Sequence, residues 1–283
     1  MEFEKVTVIG SGTMGHGIAQ VCAQADYKVT MYDPNPDVLQ VGLKKIVQNL
    51  DKGIVRQKVT PERKAETLSH ITISSDLKEA ATGAELVIEA IPEQLDLKQA
   101  VLRQFDELTP EHTIFASNTS SISIAEIATA LSDPTRFLGA HFFNPVHIMQ
   151  LIEVIYHETT GVDVIDAIKG FGRRLGKQPI VVRNTPGFAT SRLGVALGME
   201  AIRMLEQGVA TAEDIDKAME LGYRHPMGPL KLTDLVGLDV RMAIGEYLAK
   251  TLKNPAFEPP ELMRRMVEQG KLGKKTKEGF YRW

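Results

Sequence analysis

The stretch that decides the fold is VTVIGSGTMG, at residues 6–15. It starts as a short apolar run rich in β-branched residues, which favours a strand, and continues into three glycines spaced G-x-G-x-x-G. Apolar residues at helical spacing follow, and a second strand-like run, Val29–Tyr32, ends at Asp33. The order strand, glycine turn, helix, strand and acid is the one that a dinucleotide-binding site requires.

Each glycine of this turn is required for a different physical reason. Gly10 allows the tight turn that leaves the strand, Gly12 lets the backbone approach a pyrophosphate, and Gly15 lets the helix pack closely. The free N–H groups and the positive dipole end of the helix favour phosphate. Asp33 can accept hydrogen bonds from both ribose hydroxyls and would repel a 2′-phosphate, so the predicted cofactor is NAD. The cofactor contacts predicted here are Gly10, Gly12, Thr13, Met14, Gly15 and Asp33.

Strand and helix patterns alternate up to about residue 184, which predicts a mostly parallel sheet covered by helices on both faces. Beyond Asn184–Gly187 the pattern is helical, with almost no strand signal. We therefore predict an α/β protein with a Rossmann-type NAD-binding domain at residues 1–184 and an all-helical domain at residues 185–283. Ligands of open α/β sheets bind beyond the carboxyl ends of the strands, so a helical domain docked there would supply substrate contacts.

Composition excludes several function classes for this chain of 283 residues. The formal net charge is −3 and no run of Lys and Arg suggests nucleic acid as a partner. No apolar run approaches the ~18 residues of a membrane span, and the start, MEFEK, has no apolar segment of a secretory signal. The only cysteine, Cys22, falls in the first helix pattern, where we expect a buried apolar residue. These features predict a cytoplasmic protein.

Two strand-like runs, 137–143 and 151–155, lie on either side of a short loop centred on His147. If they pair antiparallel across that loop, His141 faces Glu153. A carboxylate beside an imidazole fixes its tautomer and makes it a better proton acceptor, which is the arrangement of a general base. We expect the other six histidines to be structural or surface residues.

Small hydroxyl and amide side chains, Ser117–Ser121, follow another predicted strand end. At that position they could reach both a nicotinamide ring and a substrate. An ordinary capping turn before the helix at Ile124 explains the same cluster equally well, although Ser123 and Glu126 already form a capping box there.

Several longer motifs together resemble the L-3-hydroxyacyl-CoA dehydrogenase family, in particular its short bacterial 3-hydroxybutyryl-CoA dehydrogenase type. The resemblance covers essentially the whole chain. The motifs that carry it are Gly10–Gly15, Val87–Ala90, Ser117–Ser121, His141–Pro145, Thr185–Phe188, Pro226–Pro229 and the terminal Gly273–Thr276 with Gly279–Tyr281.

The resemblance implies reversible, NAD-dependent oxidation of an (S)-3-hydroxyacyl-CoA, with short chains such as 3-hydroxybutyryl-CoA as substrates. It implies His141 as the catalytic base, Glu153 as its partner and Ser120 as a contact of both the substrate oxygen and the nicotinamide. It also implies a homodimer through the helical domain, and no metal. Further implied contacts are Glu89, Lys98, Asn144 and Lys274 at the cofactor, and Lys52 and Arg56 at coenzyme A, although a solvated helix face explains the last two equally well.

One position departs from the family pattern. Members commonly carry Asn shortly after Thr-Pro-Gly-Phe, where its amide helps bind the substrate oxygen, whereas this chain has Ser191. Serine is shorter and offers one donor instead of two, so the exact substrate stays open. The alternatives are a same-fold dehydrogenase of a non-CoA hydroxy acid or ring alcohol, a dehydrogenase of a carboxylated acyl-CoA such as 3-hydroxyadipyl-CoA, and a non-catalytic NAD-binding protein.

Overall fold

An eight-stranded sheet organises the part of the chain before Thr185. The computed structural model describes residues 3–283, in two units of which the first ends at Asn184 and the second is Thr185–Trp283. The strands of the first unit are β1 Lys5–Ile9, β2 Lys28–Tyr32, β3 Ile71–Ser74, β4 Leu86–Glu89, β5 Ile114–Ser117, β6 Phe137–Phe142, β7 Leu151–Tyr156 and β8 Gln178–Arg183.

The strand order is β3-β2-β1-β4-β5-β6-β7-β8. Every neighbouring pair is parallel except β6 and β7, which are antiparallel. This arrangement confirms the predicted mostly parallel sheet. The chain direction across the sheet reverses between β1 and β4, and such a switch point is where ligands bind in open α/β sheets.

Between residues 3 and 184, seven α-helices flank this sheet. Side-chain caps explain where several of them begin, since Asn35, Thr60 and Asp76 each accept a hydrogen bond from a first-turn backbone N–H. The five-residue helix Leu77–Ala81 is absent from the sequence prediction because one turn is too short for a periodic pattern. The helices are α1 Gly15–Gln24, α2 Pro36–Val55, α3 Pro61–Ser69, α4 Leu77–Ala81, α5 Leu95–Asp106, α6 Ile124–Ala128 and α7 Val162–Arg174.

The central strands β4 and β5 are buried along their whole length, as expected for strands with helices on both faces. Cys22 lies in the same core with no exposed surface, as predicted. Burial raises the pKa of its thiol, so the side chain behaves as a small apolar group.

The second unit is helical, as predicted, and within Thr185–Trp283 the structure has only isolated bridges and no strand. Its core contains Val195, Met199, Ile202, Leu230 and Leu248. The first helix of this unit, Thr190–Glu206, begins three residues before the predicted start at Leu193, so Ser191 lies in its first turn. The helices are α8 Thr190–Glu206, α9 Ala212–Lys217, α10 Pro229–Val236, α11 Leu238–Leu252 and α12 Glu261–Glu268. Among residues 3–283, no helix combines the length and apolar character that a bilayer crossing needs.

Candidate active site

The glycine turn after β1 has little room for side chains. Gly10 has a φ of +92°, and a Cβ there would lie 2.8 Å from the carbonyl oxygen of Ala90. A Cβ on Gly15 would lie 1.7 Å from the carbonyl oxygen of Gly10, so α1 can start this close to the turn only with glycine. A Cβ on Gly12 would meet nothing within 4 Å, so the turn leaves open space where a pyrophosphate would approach.

The start of α1 and the end of β2 complete a site that fits a dinucleotide. Met14 precedes α1 without a side-chain cap, so the first N–H groups of the helix have no side chain competing for them. The Asp33 carboxylate accepts hydrogen bonds from Ser11 through its backbone N at 3.1 Å and its hydroxyl at 3.2 Å. These bonds hold the carboxylate beside the glycine turn, where a ribose would lie. Of the other predicted contacts in the turn, Thr13 is exposed and Met14 is half-buried.

His141 and Glu153 face each other across the antiparallel strands β6 and β7, in the register that the loop centred on His147 predicts. The distance from His141 Nδ1 to Glu153 Oε2 is 2.7 Å. Both side chains are buried, and Glu153 has no exposed surface. Because a carboxylate oxygen only accepts, the imidazole proton lies on Nδ1, and Nε2 is then the basic nitrogen of the neutral ring.

The segment after β5 is attached to the strand that carries His141. The side-chain oxygen of Asn118 accepts a hydrogen bond from the backbone N of Phe142, the residue after His141, at 2.9 Å. The backbone N of Asn118 donates to the carbonyl of Glu89 at 2.8 Å. Asn118 therefore fixes the Ser117–Ser121 segment between the carboxyl ends of β4 and β6.

Glu93 organises this segment further, although the sequence analysis did not select it. Its Oε1 accepts from the Thr119 hydroxyl at 2.6 Å and from the backbone N–H groups of Ser120 and Ser121 at 3.0 Å each. Burial opposes ionisation, but Lys98 and the hydrogen bonds outweigh it and hold the pKa of Glu93 below its usual range. Glu93 is thus an anion that holds the exposed Ser120 in place.

Glu89 is buried and paired with protein groups, and its predicted contact with the cofactor stays a prediction. Its side chain has no exposed surface, and its Oε1 accepts from Lys98 Nζ and from the backbone N of Ile91 at 2.7 Å each. Its Oε2 accepts from the Ser117 hydroxyl at 2.5 Å. Lys98 is 1% exposed and its Nζ also lies 3.2 Å from Glu93 Oε2. Glu89 and Lys98 form a buried ion pair, and Lys98 also contacts Glu93. Glu89 therefore holds Lys98 in position next to Glu93.

Lys177 holds the loop between β6 and β7, a role that the sequence analysis missed. Its buried Nζ donates to the carbonyl oxygens of Val146 and, at 2.6 Å, Met149. This loop carries the exposed Asn144, one of the predicted cofactor contacts, and His147. No local pattern reveals this role, because Lys177 joins the loop from the start of β8.

A basic pocket of about 390 Å³ lies between α2 and the same loop. Lys52 and Arg56, the two residues predicted to contact coenzyme A, line it together with Lys58, Asn49 and His147. Burial, followed by the positive charges of Lys177, His16, Arg56 and Lys52, holds the pKa of His147 below its usual range. A neutral imidazole among cations indicates a positive potential that suits phosphate groups.

Two predicted site residues lie in the second unit. Ser191 is partly exposed in the first turn of α8, and Lys274 is exposed with its Nζ 5.1 Å from the centre of the Trp283 ring. Their contacts with substrate and cofactor stay predictions. Within residues 3–283, no cluster of three or more His, Cys, Asp or Glu side chains could hold a metal ion.

Comparison with known proteins gives matches along nearly the whole chain. The family model of the 3-hydroxyacyl-CoA dehydrogenase NAD-binding domain matches residues 5–185, and the model of the C-terminal domain matches residues 187–283. The mitochondrial hydroxyacyl-coenzyme A dehydrogenase of Sus scrofa is 42% identical over 285 residues, which cover 98% of this chain and 90% of the relative. The probable 3-hydroxybutyryl-CoA dehydrogenase of Bacillus subtilis is 41% identical over 281 residues, with 99% and 98% covered.

A solved structure agrees with these matches. The crystal structure of (S)-3-hydroxybutyryl-CoA dehydrogenase from Ralstonia eutropha is similar with a TM-score of 0.96 and 41% sequence identity. The similarity covers 100% of this chain and 99% of that one. Both units therefore have counterparts in a single solved protein.

The position of Asp33 predicts the choice of cofactor. We expect Asp33→Ala to weaken NADH binding about tenfold or more, because hydrogen bonds to a charged group contribute about 1.5–3 kcal/mol. NADPH binding should weaken less or improve, because the repulsion of its 2′-phosphate is removed. Fluorescence titration with both nucleotides measures this, with Asp37→Ala on the exposed first turn of α2 as the control. An unchanged ratio of the two affinities would contradict the assignment.

Proposed function

Because the chain belongs to the 3-hydroxyacyl-CoA dehydrogenase family of NAD-dependent oxidoreductases, we propose that it oxidises short (S)-3-hydroxyacyl-CoA thioesters, including 3-hydroxybutyryl-CoA, reversibly to the 3-oxoacyl-CoA. The observation that carries the mechanism is the buried hydrogen bond between His141 and Glu153. His141 lies on β6, and Asn118 attaches the segment that contains Ser120 to the same strand. The names of the bacterial relatives support the short chain.

His141 is the general base in this mechanism. With its Nδ1 proton donated to Glu153, the imidazole takes the hydroxyl proton of the substrate at Nε2 as the C3 hydride leaves. The bound NAD supplies the hydride acceptor. Glu153 stabilises the imidazolium that forms, and its complete burial strengthens that interaction. In the reverse direction the imidazolium returns the proton to the alkoxide.

Polar side chains orient the substrate and the cofactor around this base. We assign Ser120 to the substrate oxygen and the nicotinamide, because Glu93 fixes the backbone of Ser120 and leaves the residue exposed. Ser191 contributes a single donor to the substrate oxygen from the first turn of α8. Asn144, Glu89, Lys98 and Lys274 complete the set of proposed cofactor contacts.

The basic pocket supports a coenzyme A thioester over a free hydroxy acid or a ring alcohol. Lys52 and Arg56 line it with a third cation, Lys58, and neither a free hydroxy acid nor a ring alcohol carries phosphates to place among them. Coenzyme A carries phosphates that guanidinium and ammonium groups bind well. We therefore propose that Lys52 and Arg56 bind those phosphates.

We also propose a homodimer formed through the helical unit, in the cytoplasm. Large apolar side chains of that unit are exposed, among them Leu193, Leu221 and Tyr223, each by more than 70%. Large apolar side chains with this much exposed surface become buried when a second copy packs on them, which supports an assembly through this unit.

The pocket assignment predicts a change in KM. The double variant Lys52→Ala/Arg56→Ala should raise the KM for 3-hydroxybutyryl-CoA about tenfold or more and leave kcat close to wild type, because phosphate contacts far from C3 do not change during the reaction. The matching N-acetylcysteamine thioester, which lacks the phosphates, should react equally with both proteins. Lys44→Ala, an exposed cation on the same helix, is the control. Equal KM values, or rapid oxidation of free 3-hydroxybutyrate, would refute the proposal.

The base assignment predicts a loss of turnover without a loss of binding. His141→Gln should lower kcat by about 10²- to 10⁴-fold, the usual contribution of a general base, while NADH binds as in wild type. Glu153→Gln should give an intermediate loss. Steady-state kinetics with NADH absorbance and a nucleotide titration measure the two effects. His157→Gln, at a buried histidine whose Nε2 contacts the Pro134 carbonyl, is the control, and near-normal turnover of His141→Gln removes the assignment.

A further inference from the structure

Arg241 on α11 is a buried cation without a counterion. Its side chain is 6% exposed, and Nη1 donates to the carbonyl of Gly194. Within residues 3–283, no charged group offsets the burial of this guanidinium, and Nε has no hydrogen-bond partner. Burial lowers the pKa of Arg241 to about 10, so the group is still charged at neutral pH. Such a charge is costly to bury unpaired, so pairing with an anion would stabilise it.

The guanidinium lies against one face of α8. Ser191, Gly194 and Gly198 are spaced i, i+3 and i+7 and so share that face. A Cβ on Gly194 or Gly198 would lie only 3.3 Å from Arg241 Nη1, so both glycines make room for the guanidinium. Arg241 therefore lies on the same stripe of the helix as Ser191, between one and two turns further along.

We propose that Arg241 binds a carboxylate at the far end of the acyl chain, so that the enzyme prefers 3-hydroxyacyl-CoA substrates whose chain ends in a carboxylate at C6. The inference rests on the proposed function, in which Ser191 contacts the C3 oxygen. It refines that function by naming the chemistry of the chain end, where a planar guanidinium pairs with a carboxylate through two hydrogen bonds.

Distances along the helix agree with this chain length. At a rise of about 1.5 Å per residue, Gly194 and Gly198 lie roughly 4.5 and 10.5 Å beyond Ser191. Three carbon–carbon bonds of about 1.5 Å each span roughly 4 Å from C3 to C6 when extended. With the C3 oxygen beside Ser191, a hydrogen bond of about 3 Å at the carboxylate brings the total to roughly 7 Å. The guanidinium is equally close to Gly194 and Gly198 and so lies roughly 7.5 Å beyond Ser191, in agreement with this length.

An uncharged chain end would leave the cation buried and unpaired in the complex. We therefore expect a methyl-terminated six-carbon chain to be disfavoured relative to a carboxylate-terminated one, because a buried charge left unpaired in one complex and paired in the other produces specificity. A four-carbon substrate ends before it reaches Arg241, so its oxidation depends little on that residue.

The test compares 3-hydroxyadipyl-CoA with 3-hydroxyhexanoyl-CoA, two substrates of equal chain length that differ in the terminal carboxylate or methyl group. In wild type, kcat/KM should be at least about tenfold higher for the carboxylated substrate. Arg241→Met should lower kcat/KM by about 10- to 100-fold for 3-hydroxyadipyl-CoA and by less than about threefold for 3-hydroxyhexanoyl-CoA. Arg241→Lys should retain part of the preference, and Lys250→Met, an exposed cation on the same helix, should retain all of it.

Equal losses with both substrates in Arg241→Met, or no preference in wild type, would overturn the inference. Failure to oxidise 3-hydroxybutyryl-CoA as well would overturn the proposed function itself, which is a distinguishable result. If Arg241→Met does not fold, inhibition of wild type by adipyl-CoA and hexanoyl-CoA decides the question. A lower inhibition constant for adipyl-CoA supports the inference, and equal constants refute it.

Discussion

The hydrogen bond between His141 and Glu153 is the constraint on which the rest of the site depends. It exists because β6 and β7 are the one antiparallel pair in an otherwise parallel sheet. A parallel pairing needs a long crossover connection, whereas the short loop of the hairpin brings two residues twelve positions apart into direct opposition. The sheet thereby places a buried acid behind an imidazole at its carboxyl edge, where the glycine turn also opens.

Around this pair, the site is held together by charged groups that do not themselves react. Glu89 and Lys98 form a buried ion pair, and Lys98 in turn stabilises the anion of Glu93, which holds the backbone of Ser120. Lys177 acts in the same way on the loop that carries Asn144. A buried ion pair such as Glu89–Lys98 adds little net stability, because its attraction is offset by the loss of hydration. We therefore expect these charged residues to serve mainly to fix the positions of their neighbours.

Those parts of the site that depend on the spacing of residues within a short segment could be predicted from the sequence. The glycine turn, the position of Asp33 and the opposition of His141 to Glu153 follow from spacing within short segments, and the structure has all three. The burial of Glu89 was not predicted, because it depends on Lys98 and Ser117, which belong to other elements. Lys177 and Arg241 were missed for the same reason, since their contacts with Val146 and Gly194 join residues far apart in the chain.

The protonation of His141 tests the central claim most directly. ¹⁵N NMR of the protein labelled at histidine, with NADH bound at neutral pH, distinguishes the two ring nitrogens, and His141→Gln identifies the signal by its disappearance. The account predicts a proton on Nδ1, a bare and basic Nε2, and a marked shift of the Nδ1 signal in Glu153→Gln. A proton on Nε2 with Nδ1 bare would contradict it.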